Sequence, residues 1–379
     1  MAFVQGDPAS PLSVALPAAL PAEAVIYCEG QFDGLDGKTA HGLVRHCEAY
    51  RILAVIDSQC AGRDAGMVLD GVANGIPIVA DLEAARAVCG EGLRVLIYGM
   101  APADGQFSAA DRQVLLAAMD AGLDLVHGLR EFLNDDAEFA ARARLHQVSI
   151  KDVRRPPALK DLRLFNGSIA RATCRRIAVL GTDGAIGKRT TATVLVQALN
   201  EHGIRAVLVC TGQTGLIQGG RYGMALDAIP SQFCSGEVEA AVLEAFENEH
   251  PEVIVIEGQG ALSHPAYLSS AFILRGSQPQ AVILQHAPKR QRLSDFPWLA
   301  MPSPASEIRL IEAFAPTRVI GLTINHEGMD EAEVGAAIAL YEAELGIPAT
   351  DALRRSPDRL VQMVVRAFPE LGLELAAMA

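Results

Sequence analysis

Short apolar runs alternate with amphipathic stretches along the first half of the chain. Each run has the length and the Val, Ile and Leu content of a buried β-strand. The runs are residues 24–27, 53–56, 77–79, 93–97 and 124–126. Between them, residues 39–47, 81–89 and 109–121 have the apolar spacing of helices. Strands that alternate with helices predict a parallel α/β sheet, because each helix carries the chain back to the start of the next strand.

The second half continues the alternation. Its strand-like runs are residues 177–180, 206–209, 253–256, 281–284 and 319–324. Between the halves, residues 153–158 contain a basic pair followed by two prolines, which interrupts the pattern. The sequence therefore predicts an N-terminal arm at residues 1–22, one α/β domain at residues 23–155 and another at residues 156–379.

The stretch IAVLGTDGAIGKRTT, residues 177–191, joins a strand to a helix through a glycine-rich turn. Its glycines allow the positive φ angles that turn several N–H groups toward one anion. The start of the following helix adds its dipole, and Lys188 adds a full positive charge. The turn is thus a predicted phosphate-binding loop. Its candidate contacts are Gly181, Thr182, Asp183, Gly184, Ala185, Ile186, Gly187, Lys188, Arg189 and Thr190.

Two departures separate this loop from that of nucleotide hydrolases. Five residues stand between Gly181 and Gly187, as in the GTD-type loops of dethiobiotin synthetase and its relatives. Position 189, where a Ser or Thr hydroxyl would bind Mg²⁺, is Arg189, and Thr190 comes one place later. A second cation where a metal ligand is expected favours phosphate binding without a metal.

Three side chains are candidates for proton transfer. The run at 253–256 delivers Glu257 to a glycine-rich turn, where an acidic residue normally holds metal-bound water in P-loop enzymes. With arginine at 189, Glu257 is equally a candidate general base, or a carboxylate that only accepts hydrogen bonds from loop amides. His264 suits the same proton transfer, but a histidine before a proline is as often structural. Asp227 is the third candidate.

Five further residues are candidates for binding the substrate. Lys38 and Thr39 stand at a predicted helix start, which attracts anions, in the loop after the first strand. Asp57 follows the second strand, at the edge where open α/β sheets bind ligands. Arg221 either contacts a ligand or pairs with a carboxylate on the surface. Arg290 belongs to a short basic cluster, which is either a solvated loop or a binding site for carboxylate or phosphate.

The 379-residue chain carries a net charge of −13, which argues against nucleic acid or an anionic membrane as a partner. The seven cysteines are scattered without a C-x-x-C pair, so neither a disulfide framework nor a metal site is expected from them. No apolar run reaches the roughly 18 residues of a membrane span, and the N-terminus lacks the early basic residues of a signal peptide. We therefore expect a cytoplasmic protein.

Several motifs occur together in register. They are EGQFDGLDGKTAHGL, AVIDSQCAGRDAG, GTDGAIGKRTTA, TGQTG, EGQGALSHPA and GIPATDALR. Over roughly residues 22–365 the chain thereby resembles the D-glutamate N-acetyltransferase family. The resemblance implies a Rossmann-like N-terminal domain and a P-loop NTPase-like C-terminal domain with a mainly parallel sheet. It also implies transfer of an acetyl group from acetyl-CoA to the amine of D-glutamate, or of a related D-amino acid, in D-amino-acid catabolism.

The implied activity fits the unusual loop. Coenzyme A carries a pyrophosphate and a 3′-phosphate, which need N–H groups and cations but no metal. We therefore expect acetyl-CoA as co-substrate, D-glutamate as the small-molecule partner, no metal ion, and a homo-oligomer, as is common for α/β enzymes. Two other functions stay open. One is an ATP-dependent ligase or kinase of the dethiobiotin-synthetase type, and the other is a non-catalytic sensor of a nucleotide or coenzyme A.

Overall fold

The chain folds around two parallel β-sheets. The computed structural model describes residues 21–102 and 104–372, so the predicted N-terminal arm lies almost entirely outside the described residues. The first sheet has the strand order β3-β2-β1-β4-β5-β6. Its strands are β1 (Ala22–Tyr27), β2 (Tyr50–Ile56), β3 (Ile78–Val79), β4 (Val95–Tyr98), β5 (Asp124–His127) and β6 (Ile150–Asp152). All neighbouring strands pair in parallel.

Helices connect the strands of the first sheet. They are α1 (Lys38–Arg45), α2 (Ala65–Asp70), α3 (Leu82–Cys89), α4 (Ala109–Asp120) and α5 (Ala137–His146). The strand order is that of Rossmann-like folds, in which ligands bind outside the carboxyl ends of the strands. The order reverses between β1 and β4, so this domain is expected to present its ligand-binding loops at the carboxyl edge near these two strands.

The second sheet has the order β13-β12-β11-β7-β10-β8-β9 and is also parallel. Its strands are β7 (Arg175–Gly181), β8 (Ala206–Cys210), β9 (Tyr222–Gly223), β10 (Val253–Glu257), β11 (Ala281–His286), β12 (Arg318–Ile324) and β13 (Ala349–Thr350). Its helices are α6 (Lys188–Glu201), α7 (Gln213–Ile217), α8 (Ser231–Glu249), α9 (Ser269–Ser277), α10 (Pro304–Phe314), α11 (Glu331–Leu345) and α12 (Asp358–Ala367). The central strand β7 carries the glycine-rich loop at its carboxyl end.

The carboxyl edges of the two sheets face each other. The hydroxyls of Thr39, after β1, and Thr214, after β8, lie 3.2 Å apart. A Cβ on Gly128, after β5, would lie 2.6 Å from Cγ of Gln213, so the backbone of one domain touches a side chain of the other. Ile217, at the end of α7, is fully buried in the core of the first domain. One group of loops follows β1, β4, β5 and β6, and the other follows β7, β8 and β10. We call the space between these two groups the interdomain cleft.

The predicted fold class is confirmed. All ten runs predicted as strands form strands, and the helices predicted at 39–47, 81–89 and 109–121 appear as α1, α3 and α4. The sequence analysis missed β6, β9 and β13, which have only two or three residues each. Among the described residues, no helix combines the length and the apolar content that crossing a membrane requires.

Candidate functional site

The glycine-rich loop connects the end of β7 to the start of α6. Gly187 has a φ of 97° and Ala185 a φ of 46°, so both adopt the left-handed conformation that turns neighbouring N–H groups inward. Lys188 is the first residue of α6, and its ammonium donates a hydrogen bond to the carbonyl of Asp183. The loop therefore closes around its own lysine, beside the positive end of the helix dipole.

Burial sets the charge of Lys188, which is only 6 % exposed. Loss of solvation lowers its pKa to about 8, although the carboxylates of Asp183 and Glu257 act in the opposite direction. The positive charges of Arg290 and Lys38 lower this pKa further. Lys188 is therefore mostly protonated at neutral pH but loses its charge when the pH rises above this pKa.

Anion binding by the loop should accordingly weaken above pH 8. Phosphate groups stay ionised there, whereas Lys188 loses its proton, so the Kd for coenzyme A should rise about tenfold per pH unit until the lysine is neutral. Titration calorimetry between pH 7 and pH 10 measures this slope. The variant Lys188→Arg keeps its charge over the whole range and should lose the dependence. A Kd that is constant across this range in the unaltered protein would contradict the assignment.

Arg189 turns away from the space enclosed by the loop. Its guanidinium donates to Oε2 of Glu257 at 3.4 Å and to Sγ of Cys210 at 3.6 Å. It also donates to the side-chain carbonyl of Gln218, whose amide in turn donates to the carbonyl of Gly42 in the first domain. The predicted phosphate contact of Arg189 is therefore not made in this arrangement. The arginine links α6 to the docked first domain instead.

The pair of Arg189 and Glu257 occupies the place where P-loop nucleotide enzymes hold Mg²⁺ between a hydroxyl and a carboxylate. A guanidinium 3.4 Å from the carboxylate repels a divalent cation and offers it no ligand. Within residues 21–102 and 104–372, no three His, Cys, Asp or Glu side chains are grouped as metal ligands. The residues present do not fit a nucleotide-type Mg²⁺ site.

Glu257 is the last residue of β10 and is 5 % exposed. Its Oε2 accepts hydrogen bonds from Arg189 and from the N–H of Thr211, the latter at 3.2 Å. Its Oε1 lies beside Gly212, where a Cβ would be 3.5 Å away. One carboxylate oxygen is thus fixed by two donors, while the other is turned toward the loop after β8. This geometry suits a base that has to keep its position while it accepts a proton.

His264 lies in the loop after β10, and its ring stacks on Tyr267 with centroids 4.4 Å apart. The N–H of Ala266 donates to Nδ1 of His264 at 3.2 Å, which places the ring proton on Nε2. Burial lowers the pKa of His264 and so keeps the ring neutral. His264 therefore presents a hydrogen-bond donor. A donor at Nε2 disfavours the general-base role considered from the sequence, and that role stays a prediction.

Three other predicted site residues are already engaged. Asp57 is fully buried and accepts hydrogen bonds from three N–H groups of its own sheet edge. Arg221 lies on the surface and pairs with Glu249. Asp227 forms a salt bridge with Arg154 of the first domain. Each of the three side chains therefore has a partner within the protein, and their roles toward a substrate stay predictions.

Lys38 and Thr39 lie at the edge of the interdomain cleft. The hydroxyl of Thr39 shares a hydrogen bond with that of Thr214, so it contributes to docking of the domains. Lys38 is exposed at the start of α1, and its charge is close enough to lower the pKa of Lys188. Lys38 therefore remains a candidate for binding an anion opposite the glycine-rich loop.

Arg290 follows β11 and forms hydrogen bonds with the glycine-rich loop. Its guanidinium donates to Oδ2 of Asp183 at 3.1 Å and to the carbonyl of Gly184 at 3.0 Å. The hydroxyl of Thr182 shares a hydrogen bond of 2.9 Å with Nδ1 of His286. Arg290 is therefore not part of a freely solvated loop, because its guanidinium contacts the glycine-rich loop, and its contact with a substrate stays a prediction.

Two arginines that the sequence analysis did not single out also reach the cleft. Arg130 follows β5, and Arg154 follows β6. Arg154 is 7 % exposed, and burial lowers its pKa to about 10, with a further decrease from the nearby charge of Arg130. Arg154 is therefore still a cation at neutral pH. The positions of both arginines directly after strands of the first domain could have marked them as candidate site residues. The sequence analysis did not use this signal for Arg154, because it did not recognise the short β6 as a strand.

Known proteins share both halves of this architecture. Residues 58–156 match the Rossmann-like domain DUF1611_N and residues 163–361 match the P-loop domain DUF1611_C, both described as domains of unknown function. A DUF1611 family protein from Anabaena variabilis, known from a crystal structure, is 34 % identical; the match covers 91 % of this chain and 99 % of that one, with a TM-score of 0.84.

Two curated relatives carry a functional name. The D-glutamate N-acetyltransferase of Tritonibacter scottomollicae is 32 % identical over 74 % of this chain and 83 % of its own length. The D-glutamate N-acetyltransferase of a Pseudoalteromonas species is 28 % identical over 71 % of this chain and 81 % of its own length. The chain therefore belongs to the DUF1611 family, the two-domain acyltransferase enzymes that include the D-glutamate N-acetyltransferases.

Proposed function

We propose that this protein transfers the acetyl group of acetyl-CoA to the amine of D-glutamate, or of a related D-amino acid, in D-amino-acid breakdown. The names of both curated relatives support the reaction and its acceptor. The observation that favours coenzyme A over a nucleotide is the guanidinium of Arg189, 3.4 Å from Glu257. It leaves a phosphate loop without a metal site, which suits phosphates that are held and not transferred. Seven free thiols suit a reducing, cytoplasmic location.

The glycine-rich loop is the proposed site for a phosphate of coenzyme A. Its N–H groups and the ammonium of Lys188 supply donors and positive charge. The pantetheine arm is about as long as five residues of extended chain, roughly 16 Å, and it can fold to a shorter reach. The acetyl group can therefore approach any part of the interdomain cleft from a phosphate bound at this loop.

The reaction needs a base and a donor for the oxyanion. The substrate's ammonium first releases one proton to solvent, and the neutral nitrogen then forms a bond to the thioester carbon while Glu257 takes its second proton. The carbonyl electrons move onto oxygen, where the Nε2–H of His264 is the proposed donor. When the carbonyl forms again, the C–S bond breaks, and the coenzyme A thiolate leaves and takes the proton from Glu257. This chain supplies both groups next to the glycine-rich loop.

An ATP-dependent ligase or kinase is the second candidate. The spacing of the loop, with five residues between Gly181 and Gly187, and the carboxylate at the end of β10 are shared with dethiobiotin-synthetase-type enzymes. The ion pair between Arg189 and Glu257 disfavours this function, because it takes the place of the metal on which ATP chemistry depends. Turnover of ATP is therefore the outcome that distinguishes the two candidates.

The direct test is release of the coenzyme A thiol when the purified protein receives acetyl-CoA and a panel of D- and L-amino acids. We expect thiol release that depends on D-glutamate and survives EDTA. Samples without an amino acid measure background hydrolysis of the thioester. Thiol release with none of the amino acids, together with hydrolysis of Mg-ATP, would overturn the proposed function in favour of the second candidate.

Replacing Lys188 with alanine should weaken binding of coenzyme A. The variant loses a charge-assisted hydrogen bond to phosphate, which costs about 1.5–3 kcal/mol of binding free energy. Calorimetry with coenzyme A measures the change. Lys160→Ala, at an exposed lysine outside the cleft, is the matched control and should bind as the unaltered protein does. Equal affinity in Lys188→Ala would move the phosphate site away from this loop.

A further inference from the structure

Four buried side-chain atoms in the described part of the chain lack a hydrogen-bond partner. They are Nε of Arg154, Oδ1 of Asp183, Nε2 of His264 and Oγ1 of Thr317. Folded proteins pair almost all buried polar atoms, because each unpaired one costs about 1–3 kcal/mol. The first three belong to loops at the carboxyl edges of the two sheets. A concentration of unpaired atoms at one place indicates a missing ligand.

Tyr267 lies near the residues that carry these three unpaired atoms. Its ring stacks on His264 at 4.4 Å between centroids. Burial raises the pKa of Tyr267 to about 12, and the charges of Arg130 and Asp183 both act on this group. Tyr267 also lies close enough to Arg154 to affect the pKa of that arginine. These groups therefore surround one region of the interdomain cleft, with the arginines on the first domain and the other groups on the second.

In this region the first domain contributes positive charges and the second domain contributes the carboxylate of Asp183. On the first domain, Arg130 and Arg154 place two cations together in a protein whose net charge is −13. Arg154 has one acidic partner, Asp227, so the pair keeps an excess of positive charge. On the second domain, Asp183 keeps one oxygen in hydrogen bonds with Arg290 and Ser294 and leaves the other unpaired. Cationic donors thus lie opposite an anionic acceptor.

We propose that this region is the binding subsite for the amino-acid substrate, an α-amino dicarboxylate. The proposal rests on the function proposed above. The guanidinium groups of Arg130 and Arg154 bind the two carboxylates, and Oδ1 of Asp183 accepts a hydrogen bond from the ammonium. The Nε2–H of His264 then points to the centre of the subsite, where the acyl oxygen arrives. Guanidinium groups are the usual partners of carboxylates, and a carboxylate oxygen is a suitable acceptor for an ammonium.

Arg130 provides the cleanest test, because its side chain is exposed and the stem of that side chain lies beside Gly105. The variant Arg130→Ala should raise the KM for D-glutamate about ten- to a hundredfold and change the KM for acetyl-CoA less than twofold. Arg142→Ala is the matched control. That arginine lies in the same domain, is partly exposed and pairs with Asp120 on the surface, so both KM values should stay unchanged.

Asp183→Asn tests the ammonium contact with a second probe, glutarate, which has both carboxylates of glutamate but no amine. The variant keeps an oxygen at this position but loses the negative charge. D-glutamate should bind at least tenfold more weakly to Asp183→Asn than to the unaltered protein, while glutarate should bind as well or better. Arg130→Ala should weaken both ligands. Calorimetry without acetyl-CoA measures all six affinities, two for each of the three proteins.

The outcomes separate this subsite from the proposed function. If Arg130→Ala raises only the KM for acetyl-CoA, the arginines bind coenzyme phosphates and the proposal is overturned. It is also overturned if both variants bind glutarate and D-glutamate like the unaltered protein. If the unaltered protein binds D-glutamate but releases no thiol with any amino acid, the proposed acetyl transfer is wrong. The binding data for the variants then still test the proposed subsite.

Discussion

Glu257→Gln should lower kcat for acetyl transfer by about 10²–10⁴-fold, the usual contribution of a positioned general base. Glutamine can still accept a hydrogen bond from the N–H of Thr211 but cannot take a proton from the amine. Binding of acetyl-CoA should change little, because Glu257 is not proposed to contact the coenzyme. Steady-state kinetics with both substrates varied, together with calorimetry of coenzyme A, measures the two effects separately.

The control for this variant lies next to the same strand. Glu252→Gln, just before the start of β10, keeps the hydrogen bond that the Glu252 side chain accepts from the N–H of Arg205, and its kcat should stay near that of the unaltered protein. If Glu257→Gln also retains a near-normal kcat, the base is a different group. Asp183 is then the first to examine, because its unpaired Oδ1 is proposed to contact the same amine.

The second large effect is on stability. Asp152→Ala should lower the free energy of unfolding of the first domain by about 3–5 kcal/mol, because it leaves a buried hydrogen-bond network without its acceptor. Asp152 accepts from His127 at 2.7 Å, from the side-chain amide of Asn134 at 2.9 Å and from the N–H of Leu133 at 3.0 Å. Urea unfolding, followed through the first transition, measures the loss.

The control for Asp152 is its neighbour in the same ion-pair group. Asp135→Ala removes an exposed carboxylate that also pairs with Arg155, and it should cost less than about 1 kcal/mol. Equal effects of the two variants would show that the buried network contributes no more than the surface pair.

The same network makes stability depend on pH. Burial alone would raise the pKa of Asp152, but hydrogen bonds from His127, Asn134 and Arg155 hold it well below its usual range. A lowered pKa contributes stability that is fully present above the unfolded value of about 3.9 and is lost as pH falls below it. In Asp152→Ala this part of the acid sensitivity should be missing.

The sequence predicted the fold well where apolar residues form continuous runs. Residues 177–180 of β7 and 253–256 of β10 are buried between helices, so each is an unbroken apolar run that is easily recognised as a strand. β6 consists of Ile150, Lys151 and Asp152, and only pairing with β5 defines it as a strand. Such edge strands form because a neighbour offers hydrogen bonds, which local sequence does not encode.

The candidate site was predicted where its residues are consecutive. The glycine-rich loop was recognised because strand, turn and helix follow one another within fifteen residues. The directions of the side chains were not recognised, since Arg189 contacts Gln218 and Glu257, which are 29 and 68 residues away in the sequence. Arg130 and Arg154 were missed for the same reason. They approach the second domain only because the two carboxyl edges meet.

The position of Ile217 has a consequence for protein engineering. This side chain belongs to the second half of the sequence but fills part of the core of the first domain. On the ribosome, residues 22–152 emerge with that part of the core still open, and it closes only after residue 217 has followed. A chimaera that exchanges one half between relatives must therefore transfer α7 together with the first domain. Otherwise the residue at position 217 comes from one relative and the core around it from the other.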